Sequence, residues 1–181
     1  MLSVEQQDAV EKIAVSARTV DVLVGPAGTG KTTTLGALRR AWEREHGAGS
    51  VVGLAPSAAA ADVLADDLGI TTENTAKWLH EHSRGTWRLR AGQLMIVDES
   101  SLAGTLALER LATHAVEAGA KLLLVGDWAQ LTAVDAGGGF GLLVVLTRIV
   151  VDVGETSVVE LELSRFRRVH GGLSCPTLMP G

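Results

Sequence analysis

One segment limits the possible folds of this chain more than any other. Residues 25–32 read Gly-Pro-Ala-Gly-Thr-Gly-Lys-Thr, which fits the P-loop pattern of Gly, four residues, Gly, Lys and Ser or Thr. The apolar run 20–24 before it predicts a buried strand, and residues 31 to about 46 after it predict a helix. A strand, a glycine-rich turn and a helix in this order are typical of a mostly parallel sheet, so we expect an α/β fold of the P-loop class.

The residue types in this loop indicate a phosphate-binding function. Glycines allow consecutive N–H groups to point inward, and the start of the following helix adds positive potential. Lys31 would neutralise charge on the β- and γ-phosphates, while the hydroxyl of Thr32 would bind Mg²⁺. We therefore predict ATP and Mg²⁺ as ligands, with the nucleotide contacted by Gly25, Pro26, Ala27, Gly28, Thr29, Gly30, Lys31, Thr32 and Thr33.

Two later apolar runs end in side chains suited to nucleotide hydrolysis. Residues 94–97 predict a strand that ends at Asp98 and Glu99, where Asp98 would hold Mg²⁺ through water and Glu99 would orient or deprotonate the attacking water. Residues 121–125 predict the next strand, after which Gln130 could sense the γ-phosphate or the attacking water. We expect Lys31, Glu99 and Gln130 to be catalytic.

The remaining pattern predicts further helices and strands around this centre. Ser3 and Gln6 have the spacing of a capping box at the start of a first helix. We expect a strand at 51–55, helices at 58–68 and 106–118, a less regular stretch at 71–92, a turn at 137–139, a short helix at 140–146 and a last strand at 158–163.

Composition narrows the functional classes. At 181 residues with 46% hydrophobic residues, the chain suits one well-packed domain. A net charge of −5 lacks the basic footprint of a dedicated DNA-binding domain, so contact with nucleic acid must be local or require another domain. The single Cys175 gives no sign of disulfides, and the most apolar window, 142–151, is too short to span a membrane, so we expect a cytoplasmic protein without membrane contact.

Taken in order, these segments resemble the DNA helicases of superfamily 1. The likeness is strongest to the helicase part of conjugative relaxases of the TraI/TrwC type, followed by RecD-like helicases. It is carried by residues 2–10, 53–60, the P-loop, 97–105 and above all 125–138, which read Val-Gly-Asp-Trp-Ala-Gln-Leu-Thr-Ala-Val-Asp-Ala-Gly-Gly. The resemblance implies a RecA-like three-layer fold, with ATP bound between two such domains and its hydrolysis coupled to movement along single-stranded DNA.

The same resemblance implies roles for individual residues. Gln6 would read the adenine edge, and the segment around Ser57 would touch the DNA backbone. Arg165 stands where the family has an arginine that acts on the γ-phosphate.

The likeness covers residues 1–168, which we expect to form one RecA-like ATP-binding domain, while 169–181 matches nothing in the family and predicts an irregular tail. The family continues into a second RecA-like domain. We therefore expect a truncated motor that needs that missing domain: one that binds nucleotide, hydrolyses it weakly or not at all, contacts single-stranded DNA weakly, and does not unwind DNA alone.

Other interpretations remain open at this stage. A small P-loop transferase resembling a kinase would need an arginine-rich lid, and a non-enzymatic remnant or partner-binding subunit would retain the fold without turnover. Arg84, Arg88 and Arg90 with Trp78 and Trp87 could stack bases, although a solvated loop over one buried Trp is the simpler interpretation. His80 and His82 are two residues apart on an expected helix and would not face one another, which argues against a metal site.

Overall fold

Six parallel strands form one sheet in the part of the chain that the structure describes. The structure is a computed structural model that describes residues 2–26 and 28–127 and, for the backbone alone, residues 150–152. The strands are β1 (Val20–Val24), β2 (Val51–Ala55), β3 (Thr71–Asn74), β4 (Leu94–Val97), β5 (Lys121–Gly126) and β6 (Val150–Asp152). Their order across the sheet is β3-β2-β4-β5-β1-β6, and every neighbouring pair is parallel.

Five described helices cover the two faces of this sheet. They are α1 (Val4–Val15), α2 (Lys31–His46), α3 (Ala58–Leu68), α4 (Thr75–Ser83) and α5 (Thr105–Ala118). The first three pack on one face, where Ile13, Leu38 and Leu64 meet Leu23 and Ile96. The last two pack on the other face, where their buried side chains meet alternate strand residues; these are Trp78, Leu79, Leu108, Leu111, Val22, Met95, Val97, Leu122 and Leu124. This arrangement confirms the expected three-layer α/β fold.

Local sequence signals account for most helix boundaries. Ser3 and Gln6 form the expected capping box at the start of α1. Gly47 ends α2, and Gly69, in a left-handed conformation, ends α3 as predicted. The strands at 20–24, 51–55 and 94–97 have the predicted bounds, and β5 runs one residue further than predicted, to Gly126.

The expected irregular stretch at 71–92 is wrong in its first half. Residues Thr71–Asn74 form β3, which pairs in parallel with β2, and Thr75–Ser83 form α4. Asn74 begins α4, and its side-chain oxygen accepts hydrogen bonds from the N–H groups of Ala76 and Lys77. Because β3 is short and polar and lies at the outside of the sheet, it lacks the apolar run by which the inner strands are recognised.

A buried ion pair lies at the amino edge of the sheet, where the strands begin. Lys121 in β5 places its Nζ 2.6 Å from Oδ2 of Asp21 in β1, and their side chains are 6% and 0% exposed. The same Nζ donates to the carbonyls of Ser16 and Arg18, both at 2.9 Å. This network fastens the turn between α1 and β1 to the middle of the sheet.

Several predictions lie outside the described residues. These are the turn at 137–139, the helix at 140–146, the strand at 158–163, the domain boundary at 168 and the tail at 169–181. The strand β6 at Val150–Asp152, next to β1, was not predicted. Within the described part of the chain, no helix is long and apolar enough to cross a membrane.

Candidate nucleotide-binding site

The predicted site residues gather at the carboxyl edge of the sheet, where parallel strands end. The P-loop follows β1, and Asp98 and Glu99 follow β4. Strand β5 lies between these two strands, so their ends are separated by about 10 Å, or two strand spacings. The N–H of Gly25 donates to the carbonyl of Gly126 at 3.2 Å, which fastens the start of the loop to the end of β5.

The loop curls into the start of α2 through two left-handed glycines. Gly28 and Gly30 both have φ of 81°, a conformation that side-chain-bearing residues adopt only at a cost. The hydroxyl of Thr29 donates to the carbonyl of Pro26 at 2.8 Å and closes the turn from within. Gly30 is the N-cap of the 16-residue helix α2 and offers no side-chain acceptor to its first N–H groups. Those donors and the helix dipole fit a bound anion.

Lys31 extends its charged end along the loop. Its Nζ donates to the carbonyls of Gly25 at 2.5 Å and Pro26 at 2.9 Å. These neutral acceptors hold the ammonium group beside the glycine turn, and phosphate oxygens are stronger partners for it. Thr32 and Thr33 lie exposed in the first turn of α2.

Asp98 is a half-buried carboxyl at the end of β4. The backbone N–H of Asp98 donates to the carbonyl of Leu54 at 2.9 Å, and its side-chain Oδ1 accepts from the backbone N–H of Glu99 at 2.9 Å. Burial raises the pKa of the Asp98 carboxyl above its usual value, an effect that the Glu99 N–H bond and the charge of Lys31 oppose and that the charge of Asp67 reinforces. Carboxylate and hydroxyl oxygens such as those of Asp98 and Thr32 are ligand types that suit Mg²⁺.

Glu99 is exposed and has an uncommon backbone conformation. Its φ is 48°, in the left-handed region. The following 3₁₀ turn, Ser100–Leu102, is held by the buried Ser100, whose hydroxyl donates to the carbonyl of Val125 at 2.7 Å. Sequence reasoning did not assign this role to Ser100, and a serine after two acids carries no signal that distinguishes it from a surface residue.

Gln6 reaches the loop from α1. Its Nε2 donates to the carbonyl of Thr29 at 3.4 Å, and its Oε1 accepts from the N–H of Ser3 at 3.0 Å. The residue predicted to read the base therefore contacts the phosphate loop itself.

The end of β2 and the start of α3 form a second part of the same edge. Ser57 caps α3 by accepting from the N–H of Ala60 at 3.1 Å. Asn74 donates to the carbonyl of Pro56 at 2.9 Å, and Thr75 donates to that of Ala55 at 3.0 Å. Sequence reasoning missed both supports, although an Asn before a helical pattern is a recognisable N-cap signal.

A hollow of about 220 Å³ lies beside this support. It is lined in part by Pro56, which follows β2, and by Thr75, Asp98 and Glu99. It therefore connects the acidic pair with the end of β2.

Three predicted site residues, Ala27, Gln130 and Arg165, lie outside the described residues.

The basic and aromatic cluster is not part of this edge. Trp78 is buried in the core while Arg84, Arg88 and Arg90 are exposed, and the solvated loop over one buried Trp stays a prediction.

Comparison with known proteins assigns the family. Residues 1–159 match a family described as "AAA domain". The chain belongs to this AAA domain family.

Its curated relatives are conjugation proteins and helicases. The AAA domain is 40% identical over 140 residues to the conjugal transfer protein TraA of Rhizobium radiobacter, covering 77% of this chain and 12% of that protein. It is 39% identical over 142 residues to the ATP-dependent RecD2 DNA helicase of Deinococcus radiodurans, covering 75% of this chain and 19% of the relative. These matches confirm the predicted likeness to conjugative relaxases and to RecD-like helicases.

Solved helicase structures share the fold of the AAA domain. The Pif1 helicase of Candida albicans aligns with a TM-score of 0.50 and 21% identity over 71% of this chain and 33% of its own. At that identity the match supports the α/β P-loop fold alone.

Proposed function

We propose that this AAA domain binds Mg-ATP and is the hydrolysing half of a superfamily 1 DNA helicase motor. The observation that carries the proposal is the meeting of two elements at one sheet edge. The P-loop with Lys31 follows β1, the Asp98–Glu99 pair follows β4, and β5 is bonded to both strands. The charge of Lys31 also acts on Asp98, so the two parts share one electrostatic environment.

Each residue has a defined task in this proposal. The N–H groups at the start of α2 and the ammonium group of Lys31 hold the phosphates. Thr32 and Asp98 would hold Mg²⁺, which when bound neutralises charge on the β- and γ-phosphates. Glu99 accepts a proton from, or orients, the attacking water, and its exposed position gives that water access. Gln130 and Arg165 remain proposed contributors near the γ-phosphate.

We also propose DNA contact and translocation, and these two proposals are based on the relatives of the chain. The described relatives include a protein named for conjugal transfer and a DNA helicase, and this chain spans 12% and 19% of their lengths. We propose single-stranded DNA as the partner of the edge around Ser57, and a second RecA-like domain as the cover of the nucleotide. For the 181-residue chain alone, we expect nucleotide binding, weak or absent hydrolysis and no unwinding.

The first test is binding of a fluorescent ATP analogue with Mg²⁺ to wild type and to Lys31→Ala. Loss of charge-assisted hydrogen bonds of about 1.5–3 kcal/mol predicts roughly ten- to hundredfold weaker binding by the variant. Lys12→Ala is the matched control, because Lys12 is an exposed lysine paired with Asp8 at 2.6 Å on α1. The control should bind as wild type does.

Two results would contradict the proposal. Failure of wild type to bind any nucleotide would favour the non-enzymatic remnant. Turnover of a small acceptor without DNA would favour a kinase-like transferase.

A further inference from the structure

The side chain of Gln6 connects the first helix to the phosphate loop. Its Oε1 accepts from the backbone N–H of Ser3 at 3.0 Å, and the backbone N–H of Gln6 donates to Oγ of Ser3 at 3.2 Å. The backbone N–H of Ser3 holds the amide oxygen, and Nε2 donates to the carbonyl of Thr29 at 3.4 Å. The helix that carries Gln6 is itself anchored, because Ala9 and Ile13 are fully buried in the core.

The same amide lies directly against Gly30. A Cβ atom at Gly30 would meet Nε2 of Gln6, and the side chain of Gln6 would have to move away to make room for it. The left-handed φ of 81° is what favours glycine at this position. Gly30 is the residue before Lys31 and the N-cap of α2. Gln6 therefore packs on the point where the loop becomes the helix.

The contact has a consequence for the N–H of Gly30. In a planar trans peptide, the carbonyl of one residue and the N–H of the next point in opposite directions. By holding the carbonyl of Thr29 on the side of α1, Gln6 turns the N–H of Gly30 away from α1. The hydroxyl of Thr29 also donates to the carbonyl of Pro26, which fixes the same peptide from inside the loop.

We infer that Gln6 is a positioning residue for the phosphate loop. Through the loop it strengthens binding of the triphosphate, whichever base the nucleotide carries. This inference rests on the proposed nucleotide binding and adds to the base-reading role that the helicase resemblance implies. Each end of the amide already has a protein partner, so its effect on the loop does not depend on contact with adenine.

A triphosphate ligand without a base distinguishes positioning of the phosphate loop from contact with adenine. Mg-tripolyphosphate would be titrated in competition with a fluorescent ATP analogue against wild type and Gln6→Met, which has no amide. Loss of one hydrogen bond predicts binding of tripolyphosphate and of ATP weakened by a similar factor, about three- to tenfold.

Two control variants isolate the contact with Thr29. Ser3→Ala removes the hydroxyl of the capping box but leaves the Gln6 amide, so it should lower the melting temperature without changing tripolyphosphate affinity. Gln7→Met replaces the exposed neighbouring glutamine and should change neither property. Circular dichroism melting curves of all variants establish that each protein is folded at the temperature of the titration.

The outcomes distinguish the hypotheses. If Gln6→Met weakens ATP but not tripolyphosphate, Gln6 acts on the base and the inference is wrong. Equal weakening by Ser3→Ala would assign the effect to the helix cap and would also overturn it. If wild type binds neither ligand, the proposed function fails, and the inference fails with it.

Discussion

At the scale of single residues, Glu99 shows where local strain coincides with proposed chemistry. Among the described residues it is the one non-glycine residue with positive φ. Such a conformation costs about 1–2 kcal/mol for a residue with a Cβ atom. The hydrogen bond from its N–H to Asp98 and that from Leu102 to its carbonyl hold the turn in this conformation. Strain that surrounding bonds maintain is common at functional sites.

The strain can be separated from the chemistry by two substitutions. Glu99→Asn tolerates the left-handed region better, so we expect the free energy of unfolding to rise by about 0.5–1 kcal/mol. Glu99→Gln has a longer side chain without this tolerance and should not change stability. Both variants lack the carboxylate, so whatever rate of ATP hydrolysis the wild-type chain has should fall about 10²–10⁴-fold. Urea denaturation and phosphate release measure the two effects.

A different pattern would count against this explanation. If Glu99→Gln stabilised the protein as much as Glu99→Asn, the gain would come from removing charge and not from the backbone.

At the scale of elements, α4 and α5 meet through two neighbouring imidazole rings, which are tilted by 30° to one another. The ring centroids of His82 and His114 are 3.9 Å apart, and Trp78 lies 4.8 Å from His82. Burial lowers the pKa of His82, and the nearby charges that act on it are those of His114, Arg88 and Arg110, which lower it further, and that of Glu117, which raises it. The neutral ring is thus the form that suits the folded state.

This packing predicts a dependence of stability on pH. Because the folded pKa of His82 is below its unfolded value of about 6.5, the stabilisation is complete above that pH and is lost as the pH falls toward the folded value. We expect the melting temperature to fall from pH 7.5 to pH 5, and to fall less in His82→Phe. His80→Phe, on the exposed side of the same helix, is the control. The same change of slope in both variants would show that the contact with His114 is not the cause.

Helix and strand boundaries could be predicted from sequence wherever a local signal was sufficient. Gly47 and Gly69 end α2 and α3, and apolar runs mark the inner strands. Strand β3 could not be predicted, since its stability comes from pairing with β2 and from the Thr72 hydroxyl, which donates to the carbonyl of Ala61 at 2.7 Å. A helix around His80 and His82 was expected, but the bounds of α4 were not predicted, because it buries only Trp78 and Leu79 against distant elements.

At the scale of the whole molecule, the two edges of the sheet have different tasks. The carboxyl edge carries the proposed chemistry, while the Asp21–Lys121 pair lies at the amino edge, about 13 Å along β1 from Gly25. The candidate residues of the site were predicted from the sequence, but their arrangement depends on β5 lying between β1 and β4. That strand order is a long-range property, as is the approach of Gln6 to Thr29, so neither could be read from local sequence.

Substitutions of the buried pair test this division. Lys121→Met leaves Asp21 charged and buried without its cation, so we expect the free energy of unfolding to fall by about 3–5 kcal/mol. The double variant Asp21→Val with Lys121→Met removes both charges and should lose less. Urea denaturation gives the stabilities, and titration of the double variant with the ATP analogue should give the wild-type affinity.

Additive losses in the double variant would mean that the two charges do not compensate one another. Weaker nucleotide binding by the folded double variant would show that the amino edge influences the site.

The position of β3 also bears on how the protein resists aggregation. Strand β3 is four residues long and polar, and its Glu73 is paired with Lys77 at 2.6 Å. Short, charged outer strands are poor templates for pairing between molecules, whereas uncharged runs of β-branched and aliphatic residues are good ones. The runs of that second kind, in β4 and β5, lie between other strands. The sheet thus keeps the aliphatic runs of β4 and β5 out of contact with other copies of the chain and presents at its β3 side a segment poorly suited to extend a fibril.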